Sequence, residues 1–169
     1  MRERERIANS VCDSYQGWLP VLTTIEKMQH YAYVHGIEII NVHLESHHHG
    51  FCAASADEGG NCIMINSRTV QTKQAELVTI AEELGHIETG ATLPVADYAT
   101  PYYKSILKRK NEMMALRYAI RKLLPIRKLR AAIRDGYYCP RAIAMYFGVT
   151  EEFTLEAINY YKATGRLWI

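Results

Sequence analysis

Between Lys73 and Gly90 the chain carries a run of helical period. Its apolar positions Leu77, Ile80, Ala81, Leu84 and Ile87 would anchor the segment in a core, and its polar positions include Glu82, Glu83 and His86. Residues four apart lie one above the other on an α-helix, so Glu82 and His86 point the same way and can grip one ion between them. Glu83 stands to the side of that pair, where a carboxylate reaches metal-bound water without being a ligand. Gly85 leaves room for a neighbouring backbone at about 1 kcal/mol of helix propensity. Gly90 is a natural C-terminal stop.

The other elements follow from period and punctuation. Trp18 to Gly36 reads as a helix, with Leu22, Ile25, Met28, Tyr31 and Tyr33 on a rough 3.6-residue repeat. Ile37 to Leu44, Phe51 to Ala54 and Asn61 to Asn66 read as strands, separated by the polar loop Glu45 to Gly50 and the turn Asp57-Glu58-Gly59-Gly60. They predict a small antiparallel sheet. Helices then dominate: Lys73 to Thr89, Lys104 to Leu124 after a loop through Pro94 and Pro101, and a short one after Pro125 that ends at Arg134. A last pair, Arg141 to Phe147 and Glu151 to Ala163, flanks Gly148-Val149-Thr150, with Thr150 as N-cap.

Composition narrows the class. At 169 residues, 49% hydrophobic and 22% charged, the chain has the length of one globular domain with room for a core. No apolar run approaches the roughly 18 residues of a membrane span. The opening Met-Arg-Glu-Arg-Glu-Arg has no apolar stretch behind it and does not read as a signal peptide, so the expected location is cytoplasmic. Cys12, Cys52, Cys62 and Cys139 are scattered without C-x-x-C pairing, which argues for reduced packing residues and against a zinc ribbon. Lysines and arginines crowd the region between Pro101 and Asp135; a solvated helix face explains such a stripe more simply than nucleic acid does.

Glu82-Glu83-x-x-His86 has the spacing of the zinc helix His-Glu-x-x-His, with glutamate in the first ligand position. Alone it is a weak pattern, common on solvated helices. A catalytic zinc needs a third protein ligand and one open position for water. Glu112 is the best candidate: Ala115 and Ala119 share its face, small enough for two helices to approach closely. An acid on such a tightly packed face needs a partner, and a metal would serve.

Ile63-Met64-Ile65-Asn66, Leu77 to His86, and Glu112 to Ala119 with Leu123-Leu124-Pro125 together resemble the ImmA/IrrE metallopeptidases. Ala81-Glu82-Glu83-Leu84-Gly85-His86 is close to the form carried by a phage-associated branch, and Val149 to Phe153 with Ala157, Tyr160 and Tyr161 resembles the tail of that branch. The resemblance implies an α+β, predominantly helical fold: a zincin-like metallopeptidase core over residues 1–125 with a small antiparallel sheet, and a C-terminal helical extension over 126–169 packed on it. It implies zinc, or another divalent ion, held by Glu82, His86 and Glu112, with Glu83 as general base. It also implies a protein substrate, a helix-turn-helix repressor of a prophage or mobile element. Two carboxylates and one imidazole make a harder, more negative site than two histidines. That opens it to other divalent ions and makes its bound water less acidic. The same residues also describe a second possibility, a catalytically weak or inactive module that binds a repressor or antitoxin without cutting it.

Three further signals carry less. Three consecutive imidazoles, His47-His48-His49, cannot all converge on one ion and suit an exposed loop or the substrate side of a cleft. His43 would face the cleft or pack in the core. Ala144 to Thr150 has helix-turn-helix spacing, but the second helix begins Glu151-Glu152 and continues with Glu156, which would repel phosphates. Direct nucleic-acid binding is therefore not expected.

Overall fold

The computed structural model describes residues 23–54, 61–90 and 101–167. Over these the chain runs α1 (Thr24–Val34), β1 (Ile37–Val42), β2 (Gly50–Ala54), β3 (Asn61–Asn66), α2 (Lys73–Thr89), α3 (Pro101–Leu123), α4 (Ile126–Arg134), α5 (Pro140–Phe147) and α6 (Glu151–Ala163). The fold is α+β and predominantly helical, as period and punctuation predict. Cys12, the start of the expected first helix at Trp18, the turn Asp57 to Gly60 and the loop through Pro94 lie outside the described residues.

Helix ends follow local chemistry. α1 begins at Thr24 because Thr23 and Glu26 form a capping box, in which each side chain bonds the other residue's backbone N–H. That Thr-x-x-Glu signal lies inside the segment the apolar period extends back to Trp18. The Thr72 hydroxyl caps α2 by accepting from the Ala75 N–H, and Gly90 closes the helix in the left-handed conformation at φ 66. Thr150 caps α6 as expected, accepting from the Phe153 N–H.

The sheet order is β1-β3-β2. β2 pairs antiparallel with β3, but β1 pairs parallel with it, so the sheet is mixed where the sequence suggested an antiparallel one. The reason is the loop after β1. Instead of folding back as a hairpin, residues 43–49 cross the end of β3 and place β2 on its far side. Asn66, fully buried at that end, holds the crossing in place. Its side-chain oxygen accepts from the Leu44 and Arg68 N–H groups, and its amide nitrogen donates to the carbonyls of Leu44, Ser46 and His48 at 3.0–3.3 Å. One buried amide thereby satisfies backbone groups that alternation along a strand cannot reveal.

Two hydrophobic clusters flank α2. Leu77, Val78 and Ala81 join Ala119, Ile120, Leu123, Leu124, Leu129, Ile143, Phe153, Ala157 and Tyr161 on the helical side. Ile80 and Leu84 join Ala32, Ile37, Ile63 and Ile65 on the sheet side. The third face of α2 is left for Glu82, Glu83 and His86. Residues of α4 to α6 share the first cluster with α2, and the buried Tyr161 hydroxyl donates to the Leu124 carbonyl at 2.9 Å, fastening α6 to the end of α3. Among the described residues no helix is long and apolar enough to cross a membrane.

Candidate active site

α2 and α3 approach very closely. A Cβ built on Gly85 would stand 2.6 Å from the Ala115 carbonyl oxygen and 2.9 Å from its Cα. Only glycine fits there, and Ala115 and Ala119, both buried, keep the other side of the contact thin. His86 follows Gly85, and Glu112 lies one turn before Ala115. The close crossing therefore brings the two candidate side chains together: His86 Nε2 and Glu112 Oε2 are 3.5 Å apart.

Both line a cleft of about 630 Å³, together with Glu82, Glu83 and Thr79 of α2, Lys108 of α3, Gly50, Phe51 and Cys52 of β2, and the loop residues His47 to His49. Its back is tight. A Cβ on Gly50 would meet Thr79 Cγ2 at 2.6 Å and Glu83 Oε1 at 3.0 Å, so a glycine lets β2 lie against the helix that carries the acids.

Burial and the negative fields of Glu156, Glu83 and Glu112 push the Glu82 carboxyl up to about 7. Burial also raises Glu83; the charge of His86 and hydrogen bonds with the Cys52 side chain and backbone partly offset that rise, and Glu112 adds to it. The Cys52 thiol is itself pushed up to about 12, first by burial and then by Glu83, so it sits beside Glu83 as a neutral neighbour. Three acids thus share a cleft with four imidazoles and a single lysine. The excess negative charge is of the kind a divalent cation relieves.

The donor chemistry fits a divalent ion. Two ligands at about 2.0–2.1 Å on a tetrahedral centre stand roughly 3.4 Å apart, close to the His86–Glu112 separation. Among the described residues, however, no group of three or more His, Cys, Asp or Glu side chains is gathered tightly enough to hold a metal. Glu82 lines the same cleft without closing on the pair. Glu112 is less enclosed than its small neighbours suggest, with 58% of its side chain exposed, so it needs no partner to offset burial.

The loop histidines all line the cleft, whereas His43 is exposed and does not. Lys108, Cys52, Thr79 and Glu156 were not among the expected site residues. Lys108 stands four positions before Glu112, a helical spacing that could have flagged it. Cys52 and Glu156 are brought in by tertiary contacts that no local pattern encodes. No curated protein and no solved structure matches the chain. A family description does: residues 32–159 match the peptidase family of the IrrE N-terminal-like domain, and the chain belongs to that metallopeptidase family.

Proposed function

We propose that the chain is a metal-dependent endopeptidase that cleaves a helix-turn-helix repressor of a prophage or other mobile element in the cytoplasm. The carrying observation is the 3.5 Å approach of His86 to Glu112 in a cleft that also holds Glu82 and Glu83. His86, Glu112 and Glu82 would hold Zn²⁺ or another divalent ion. The ion would supply Lewis acidity toward the scissile carbonyl and its developing oxyanion. Glu83 takes the proton from the attacking water. Burial raises its pKa, which makes it a stronger proton acceptor than an exposed carboxylate, and it can pass the proton on to the leaving amine.

β2 supplies the substrate seat. Among the described residues it is an edge of the sheet, and it lines the cleft through Gly50, Phe51 and Cys52, so an extended peptide can add to that edge by backbone hydrogen bonding. Lys108 lies across the cleft, where it can meet a carboxylate of the peptide. Residues 126–169 form an extension packed on the peptidase core of residues 1–125, and the repressor substrate rests on the resemblance to the phage-associated branch.

A second reading is favoured by one observation: no three donors are gathered among the described residues. On that reading the same cleft binds the repressor without cutting it. The two are separated by purifying the full chain without chelator, counting bound metal, and co-expressing a candidate repressor with and without EDTA. Cleavage that EDTA and Glu83→Gln both stop, with metal content unchanged in the variant, supports the peptidase. An intact repressor in a stable complex supports the binding module, and normal cleavage by Glu83→Gln removes Glu83 as the base.

A further inference from the structure

A second concavity, of about 370 Å³, shares α2 and α3 with the cleft but none of its lining residues. It is lined by Thr89 at the end of α2 and by Met114, Arg117, Tyr118, Arg121 and Lys122 of α3. Three cations therefore face one hollow, and none of the three forms an ion pair among the described residues. Two are oriented by aromatic rings instead. The Arg117 guanidinium carbon stands 5.9 Å from the centre of the Tyr160 ring, and Lys122 Nζ stands 5.3 Å from both the Tyr31 and Tyr118 rings. A ring face positions a cation without cancelling its charge as a carboxylate would. Glu88, whose charge reaches Tyr118 and Tyr31, accepts the Tyr31 hydroxyl at 2.8 Å.

Two ring-held cations and Arg121, none of them in an ion pair among the described residues, surround a hollow of small-molecule size and are complementary to a compact, multiply charged anion. Two guanidinium forks and an ammonium match the oxygens of a phosphate group; the Thr89 hydroxyl donates to the Gly85 carbonyl at 2.6 Å and contributes no donor to the hollow. We infer that this hollow binds the phosphate group of a small anion, separately from the metallopeptidase cleft. An occupant would bridge the two helices that carry His86 and Glu112, since Thr89 lies one turn beyond His86 and Met114 lies two residues beyond Glu112.

Isothermal titration of the full chain with inorganic pyrophosphate at low salt tests this. The expected result is one saturable site per chain, weakened about tenfold by Arg117→Gln and by Arg121→Gln, in line with the loss of one charge-assisted contact. Lys128→Gln removes the same charge at an exposed position of α4 outside the hollow and should leave binding unchanged. Circular dichroism confirms that each variant keeps its helices. No saturable binding, or an equal loss in Lys128→Gln, overturns the site. So does a duplex DNA probe whose binding responds to Arg121→Gln while pyrophosphate binding does not, because the cations would then serve a nucleic-acid backbone.

Discussion

Gly85 and Ala115 meet so closely that a single methyl group on the glycine would fall 2.6 Å from a carbonyl oxygen. In an exposed helix Gly→Ala gains about 1 kcal/mol. Here the atom it would strike is backbone, which cannot swing aside. Gly85→Ala is expected to lower stability by a net of about 1–3 kcal/mol. Thermal unfolding reads this as a fall of several degrees. A variant that unfolds at or above the parent temperature would mean that the two helices separate without cost.

Asn66 stabilises the crossing loop through five side-chain hydrogen bonds. Asn66→Ala strands those backbone groups and should cost roughly 2–4 kcal/mol. It should also loosen the segment that carries His47 to His49. Limited proteolysis between Leu44 and Gly50, faster in the variant under native conditions, is the direct readout.

Tyr161→Phe removes only the hydroxyl that donates to the Leu124 carbonyl. The ring still fills its site, so the loss is that of one buried hydrogen bond, about 1–1.5 kcal/mol. Chemical denaturation should show a lower midpoint with an unchanged slope. A changed slope would instead indicate that α6 separates from the rest before global unfolding.

Glu82 gives the metal-free protein a pH signature. Its folded pKa of about 7 lies above the ordinary value of 4.5, so the folded chain holds a proton that the unfolded chain has released. Stability from this group is fully present below pH 4.5 and is lost as the pH rises through 7, by roughly 3 kcal/mol in all. In the presence of chelator, Glu82→Gln should remove that part of the slope. The parent-minus-variant difference should change between those limits and level off above 7; a difference that stays flat throughout would mean Glu82 is not held protonated.

The apolar period of α2, its stop at Gly90, and the use of small residues at Gly85, Ala115 and Ala119 were all legible in the chain, because each is set by neighbours within a turn or two. So was the family, carried by short runs on one strand, on two helices and in the C-terminal tail. The tertiary structure alone decided the strand directions, since alternation fixes which face a side chain takes but not which way a loop returns. It alone brought Cys52 to Glu83 and Glu156 toward Glu82, contacts between elements far apart in the chain. It also decided the exposure of Glu112: small neighbours on a helix allow a close approach, but how much water reaches the end of a long side chain depends on what the opposing helix leaves uncovered.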